Sequence, residues 1–188
     1  SGTGSSLKST ENIRKELPQI IKKLDIKSIV DIPCGDFYWF SKIINNLDIK
    51  YFGGDIVKDL IIKNKKFESQ NIVFRDINLI TDKVPYGDLL ICRDCLFHFS
   101  YNDINKVFLN LKSTDFKYIL ITNHNLQREE FENNDCITGS FRFLDFHLSP
   151  FNFVKNYEYE ISDTDYPKTY LEKKILIYSK ENFLLNIK

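Results

Sequence analysis

The segment that most constrains the fold of this chain is residues 27–36, K-S-I-V-D-I-P-C-G-D. It predicts a short buried strand over 28–32, followed by a tight turn at Pro33 and Gly35. An amphipathic helix is expected next, because apolar residues recur at helical spacing at Trp39, Ile43, Ile44 and Leu47. Open α/β sheets bind ligands where the first strand turns into its helix, so we expect the functional site at this turn.

The composition indicates one domain spanning residues 1–188. That length suffices for a full core, and no linker interrupts it. A formal net charge of zero provides no basic track for a nucleic-acid backbone. No apolar run approaches membrane-spanning length, and no signal-peptide pattern opens the chain. Its four scattered cysteines do not suggest a disulfide scaffold, so we expect a cytoplasmic protein without membrane or nucleic-acid partners.

Strand and helix patterns alternate along the chain. An N-terminal flap and helix are expected over residues 1–26, with Ser9 or Thr10 as the helix cap and a kink or restart at Pro18. Further strands are predicted at 51–56, 71–74, 88–92 and 117–122, with helices at 57–67 and 102–111. Two last strands are expected at 151–161 and 174–179. The sequence therefore predicts an α/β fold with a mostly parallel seven-stranded sheet, an antiparallel edge hairpin and flanking helices.

The acids near the predicted turn indicate which cofactor it binds. Asp55 ends the second predicted strand, twenty residues after Gly35, a position from which such sheets bind ribose hydroxyls. A dinucleotide site needs several glycines around its pyrophosphate, whereas this turn has one glycine and two acids, Asp31 and Asp36. S-adenosylmethionine (SAM) has no phosphate and carries an ammonium and a sulfonium, which acids attract. The residues therefore favour SAM, with S-adenosylhomocysteine (SAH) as the product, over a nicotinamide cofactor.

The same segments resemble the class I SAM-dependent methyltransferases, in order and across nearly the whole chain. V-D-I-P-C-G-D resembles their first motif, G-G-D-I their ribose-binding acid, and F-R-D-I their adenine-contacting segment. Longer strings resemble a bacterial subgroup that often accompanies surface-polysaccharide synthesis, including the methyl phosphoramidate decoration of capsules: S-L-K-S-T-E-N-I-R, D-I-P-C-G-D-F-Y-W, I-C-R-D-C-L-F-H and P-F-N-F. The resemblance implies a Rossmann-like fold and methyl transfer from SAM.

On the adenosine side, the resemblance implies four contacts. Asp55 would bind the ribose, and Ile56 would lie against the adenine. Asp76 would accept a hydrogen bond from the adenine amino group, and Ile77 would pack on the ring.

On the methionine side, the resemblance implies five more. Asp31 and Gly35 would line this end of the cofactor, with Ser5 in a flap over it. Arg93 follows the fourth predicted strand, where class I enzymes contact the methionine moiety, and Arg14 would reach the same carboxylate.

Three residues are candidates for catalysis on the acceptor. Asp94 and His98 lie four residues apart, so one turn of helix would bring them together. The carboxylate could then orient the imidazole, which would take the acceptor's proton. The alternative is that Asp94 caps the next segment and His98 is structural. His124, at the end of the fifth predicted strand, is a second base candidate.

Residues 123–152 form a long polar and aromatic segment, which we expect to be an insertion on the substrate side. Arg128 and Arg142 within it could clamp a phosphate or carboxylate. Four aromatic side chains could wall the acceptor pocket: Tyr38, Trp39, Phe141 and Phe143. We therefore expect a small acceptor that is anionic or sugar-like, methylated on oxygen or nitrogen during capsular polysaccharide modification.

Other interpretations remain open at this point. Cys92-x-x-Cys95, with Cys34 and His98, is a conceivable zinc site, but no spacing demands a metal and we predict none. A nucleic-acid methyltransferase is less favoured, because amino-methylating enzymes of that class resemble each other in an N-P-P-Y or D-P-P-Y string after the fourth strand, and R-D-C-L stands there in this chain. A module that binds SAM without catalysis, and a nicotinamide oxidoreductase, are the remaining alternatives.

Overall fold

The fold is a seven-stranded sheet flanked by helices. A computed structural model describes residues 2–126, 131–163 and 171–187. The strands are β1 (Ser28–Asp31), β2 (Lys50–Asp55), β3 (Ile72–Asp76), β4 (Gly87–Cys92), β5 (Phe116–Leu126), β6 (Tyr159–Ser162) and β7 (Leu171–Ser179). The α-helices are α1 (Glu11–Lys23), α2 (Lys58–Asn64), α3 (Tyr101–Lys112) and α4 (Lys180–Leu185). Among the described residues, none of these helices is long and apolar enough to cross a membrane.

The strand order is β3-β2-β1-β4-β5-β7-β6, and strands β1 to β5 are parallel. Strand β7 pairs antiparallel with β5 on one side and with β6 on the other. This arrangement confirms the predicted α/β, Rossmann-like fold and its antiparallel edge hairpin. Strands β2 and β3 lie on one side of β1 in the sheet, and strand β4 lies on its other side. Such a switch point opens a crevice at the carboxyl ends of the central strands.

The helix predicted after the first turn is wrong. Two short 3₁₀ turns, Phe40–Lys42 and Ile44–Asn46, replace it. Trp39, Ile43 and Ile44 are buried all the same, so the apolar pattern indicated burial correctly but not the helix type. Ser and Asn residues in this segment have weak helix propensity, and packing of the large apolar side chains determines the backbone path.

Helix α1 passes through Pro18, so of the predicted kink or restart the restart does not occur. A proline inside a helix removes one backbone hydrogen bond. The buried face formed by Ile13, Leu17 and Ile20 compensates, since each side chain leaves water on packing against the sheet. Thr10 occupies the N-cap position, but its hydroxyl donates to the Ser6 carbonyl rather than capping the helix.

Strand β5 is longer than predicted and takes in the start of the expected insertion. Residues 123–126 continue the strand and pair with the first residues of β7. The strand predicted at 151–161 shortens to Tyr159–Ser162, because Phe151 and Phe153 pack into an aromatic cluster on α3 instead. The helix α4 was not anticipated.

Candidate active site

A cavity of about 540 Å³ lies at the carboxyl ends of the central strands. Its walls come from the N-terminal turn, the loops after β1, β2 and β4, the insertion, and the ends of β6 and β7. The lining residues are Gly2, Thr3, Gly4, Ser5, Asp31, Pro33, Cys34, Gly35, Trp39, Asp55, Val57, Leu60, Arg93, Asp94, Phe97, His98, His124, Phe141, Phe143, Asp163 and Lys173. This volume is in the range of about 300–1,000 Å³ that is typical of small-molecule sites.

Asp55 joins two turns at one end of the cavity. Its Oδ2 accepts from the Gly35 backbone N–H at 3.0 Å, and its Oδ1 accepts from the Val57 N–H at 2.9 Å. The carboxylate is 5% exposed. Each carboxylate oxygen can accept a second hydrogen bond, so the group is held in place with acceptor capacity to spare.

Asp31 is a buried carboxyl group at the end of β1. The Tyr51 hydroxyl donates to its Oδ2 at 2.7 Å. Burial raises the pKa of Asp31 to about 7, and the hydrogen bond from Tyr51 and the charge of Arg93 oppose that rise. This group therefore changes its charge near neutral pH, directly in the cavity wall.

Arg93, Asp94, Asp163 and Lys173 form a four-charge cluster beside Asp31. Arg93 lies between the two acids, with Nη1 3.0 Å from Asp94 Oδ2 and Nη2 2.7 Å from Asp163 Oδ2. The Lys173 Nζ bridges the same acids at 3.1 and 3.0 Å. These attractions hold the pKa of Asp94 below its usual value, although burial alone would raise it. Asp163 and Lys173 were not among the residues predicted from the sequence.

The N-terminal turn lies over this cluster. Arg93 Nη2 donates to the Gly4 carbonyl at 3.0 Å. A Cβ at Gly4 would come within 2.8 Å of Asp94 Oδ2, so only glycine allows this close approach. Ser5, in the same turn, also lines the cavity.

Asp94 and His98 do not form the expected pair in the described structure. Asp94 takes a left-handed backbone conformation (φ 52°), and Leu96–His98 is a 3₁₀ turn, so the four-residue spacing does not bring the side chains together. Asp94 instead accepts from the Thr122 hydroxyl and from Lys173. His98 Nδ1 lies 2.9 Å from the Ser140 carbonyl oxygen, to which only a protonated Nδ1 can donate. The lone pair of the neutral ring is therefore on Nε2.

His124 has the opposite ring arrangement. The Leu144 backbone N–H donates to His124 Nδ1 at 3.2 Å, which places the proton of the neutral ring on Nε2. Burial, and then the nearby charge of Lys173, lower the pKa of His124 to about 4. At neutral pH this residue is therefore a hydrogen-bond donor at Nε2, and its Nδ1 lone pair is already used.

Three phenylalanines surround the two histidines, and we call Phe97, Phe141 and Phe143 the aromatic wall. The Phe97 ring centroid lies 4.4 Å from that of His98 and 4.9 Å from that of His124. Phe143 packs edge-on to His124 at 5.4 Å and to Phe141 at 5.3 Å. Phe141 is 57% exposed, so its ring presents an apolar surface to whatever enters the cavity.

Of the residues expected on the acceptor side, only some line the cavity. Trp39 lines the cavity, with the Arg93 guanidinium 5.7 Å from its ring centroid, whereas Tyr38 is exposed outside the lining. Arg142 donates to the carbonyls of Phe97 and Phe99, at 3.3 and 2.6 Å, so it braces the loop instead of facing the cavity. Arg128 lies outside the described residues.

Four of the expected cofactor contacts lie outside the lining. Arg14 donates to the Leu7 carbonyl at 2.7 Å and so fixes the N-terminal segment. Ile77 is buried beneath Gly54 in the core. Ile56 and Asp76 are exposed near the Asp55 end.

The cysteines of the alternative zinc site are buried thiols. A hydrogen bond with Cys95, together with burial, raises the pKa of Cys92 well above its usual value. Among the residues that the structure describes, no group of three or more His, Cys, Asp or Glu side chains could hold a metal ion.

No family model and no curated protein matches this chain. Human N-acetylserotonin methyltransferase, crystallised with SAM, matches with a TM-score of 0.60 at 12% identity, over 88% of this chain and 51% of that one. A SAM-dependent methyltransferase from Leishmania major gives 0.65 at 14% identity, over 91% and 72%. The N-terminal domain of EvdMO1, with SAH and D-fucose, gives 0.61 at 10% identity, over 90% and 83%. This chain spans about half the length of the human enzyme. Its fold is that of Rossmann-like methyltransferases.

Proposed function

We propose that this chain is a methyltransferase that moves the methyl group of SAM to a hydroxyl oxygen of a small, sugar-like acceptor. The observation that carries the proposal is the Asp55 carboxylate, fixed by the Gly35 and Val57 amides at the end of the second strand. A ribose diol needs such an oriented acceptor. The fold likeness to proteins crystallised with SAM or SAH supports the same cofactor.

The residues of the cavity suit SAM from end to end. Asp55, Val57 and Leu60 would hold the adenosine, and Asp31 and Arg93 would face the amino-acid end. The acids Asp31 and Asp55, and the lack of a glycine-rich loop between them and the cavity in the described residues, favour a cationic ligand over a pyrophosphate. When bound, SAM supplies a methyl group on a positively charged sulfur.

His98 is the residue best placed to take the acceptor's proton. Its Nδ1–H donates to the Ser140 carbonyl oxygen, so the lone pair on Nε2 is available to act as the base. Nε2 would take the proton of the acceptor hydroxyl during transfer of the methyl group that SAM would supply, and SAH would be the leaving product. His124, a neutral donor at Nε2, would orient the acceptor by a hydrogen bond to one of its oxygens.

The surroundings of the two histidines favour a sugar-like acceptor over a strongly anionic one. The aromatic wall offers apolar surface for the face of a sugar ring. Arg142 lies outside the cavity lining and donates through Nη1 to backbone carbonyls, and Arg93 and Lys173 are paired with acids. The neighbour crystallised with D-fucose supports a sugar at such a site. The motif resemblance further supports a cytoplasmic role in capsular polysaccharide modification. A methyl phosphoramidate precursor is therefore the anionic acceptor to include in an activity test.

Incubation with SAM and a panel of acceptors tests the function. The panel contains free sugars, nucleotide sugars, sugar phosphates and phosphoramidates, and the readout is SAH formation together with a methylated product in mass spectrometry. We expect transfer to a hydroxylated sugar. SAH binding without transfer to any panel member would favour a non-catalytic SAM-binding module.

The buried Asp31 carboxyl group predicts a pH-dependent affinity for SAH. Its pKa of about 7 means that it is mostly neutral below that pH and charged above it. The charged form attracts the α-ammonium group at the amino-acid end, so affinity should rise with pH through about 7, by up to about tenfold per pH unit on the acidic side. Isothermal titration at several pH values measures this. Asp31→Asn should flatten the profile, and a flat profile in the unmodified chain would contradict the assignment.

A further inference from the structure

Asp163 is a buried carboxylate beside the cavity. It lies just after β6, its side chain is fully buried, and it belongs to the cavity lining. Its Oδ2 carries all of its described contacts: two from Arg93, at 2.7 and 3.1 Å, and one from Lys173 at 3.0 Å. Its Oδ1 is buried with no hydrogen-bond partner among the described residues.

A buried carboxylate oxygen without a donor is costly, because it has lost water and gained nothing in exchange. Burial raises the pKa of Asp163 above its usual value even though Arg93 and Lys173 both oppose the rise. A native protein that keeps such an acceptor beside a cavity is expected to satisfy it with ordered water or with a ligand.

The position of Asp163 identifies which part of a ligand would reach it. Its partner Arg93 lies close to both Asp31 and Trp39 and follows β4, on one side of β1, whereas Val57 and Leu60 follow β2, on the other side. Arg93 also donates to Gly4, so the N-terminal turn lies over this end and would have to move aside for entry. Because Asp31 and Asp163 are both acids, the most favourable partner for the Asp163 Oδ1 atom is a cationic N–H donor.

We propose that Asp163 Oδ1 accepts a hydrogen bond from the α-ammonium group at the amino-acid end of SAM and SAH. This inference rests on the proposed function and adds a direct contact from the edge hairpin to the cofactor site. Asp31 contributes charge through space, whereas Asp163 supplies the hydrogen-bond acceptor.

Paired titrations with SAH and with its deaminated analogue, which carries hydrogen in place of the α-amino group, test the inference. In the unmodified chain SAH should bind more tightly than the analogue by roughly 10- to 100-fold, the usual worth of a charged hydrogen bond. In Asp163→Asn this ratio should fall at least about tenfold, because an amide is a weaker acceptor for ammonium. Asp55→Asn, altered at the opposite end, should weaken both ligands and keep the ratio.

A charge-balanced variant guards against misfolding. Asp163→Asn combined with Lys173→Gln removes one charge of each sign from the four-charge cluster. This double variant is titrated in place of Asp163→Asn if the single variant does not unfold cooperatively on heating. An unchanged ratio in the folded variant would overturn the inference and leave Oδ1 satisfied by water, while the cofactor assignment stands. Absence of SAH binding to the unmodified chain would refute the proposed function itself, and the inference with it.

Discussion

His98→Ala is expected to lower the rate of methyl transfer by about 10²- to 10⁴-fold, the usual contribution of a general base. The substitution removes Nε2, the ring nitrogen left with a lone pair by the bond to Ser140. SAH affinity should stay nearly unchanged, since the aromatic wall and His98 lie on the acceptor side. Single-turnover rates on the best acceptor of the panel, with SAH titrations in parallel, separate the two effects.

His147→Ala is the matched control for that variant. His147 Nδ1 makes the same kind of contact, 3.0 Å from the Phe153 carbonyl, but the residue does not line the cavity. Its loss should therefore leave the rate intact even if it lowers the melting temperature. An unchanged rate in His98→Ala would exclude His98 as the base.

Asp55→Ala should weaken SAH binding by roughly 100- to 10,000-fold, the value of two hydrogen bonds to a charged acceptor. The variant loses the proposed ribose contacts and also releases the Gly35 and Val57 amides, so the turn is no longer preorganised. Isothermal titration gives the affinity, and thermal melting confirms that the variant is folded.

Two further variants sharpen this result. Asp55→Asn keeps one oxygen acceptor and should lose less affinity than Asp55→Ala. Asp59→Ala removes an exposed acid from the first turn of α2, outside the cavity, and should bind SAH normally. If Asp55→Ala bound SAH as tightly as the unmodified chain, the cofactor would have to lie elsewhere.

Much of the fold is predictable from the sequence because its signals are local. The strand positions of β1, β2 and β4 follow from short apolar runs, which parallel strands need when both faces are buried. The acids at their carboxyl ends, Asp31 and Asp55, could be placed in one crevice because parallel strands end at the same edge. The same reasoning placed Arg93 there.

The parts that failed depend on backbone detail or on distant contacts. The Asp94–His98 pair fails because of a left-handed residue and a 3₁₀ turn, which spacing alone does not reveal. Asp163 meets Arg93 across seventy residues of sequence, through an edge hairpin whose register no local pattern specifies. Arg142 was expected to face the ligand, but neighbouring carbonyls bind it.

Titration of the unmodified chain with SAH, with NADH as a control, tests the central claim most directly. We expect micromolar SAH binding and no measurable NADH binding, because Asp31 and Asp55 line the cavity at the ends of β1 and β2 and would repel a pyrophosphate. Absence of SAH binding, or tighter binding of NADH, would contradict the methyltransferase assignment.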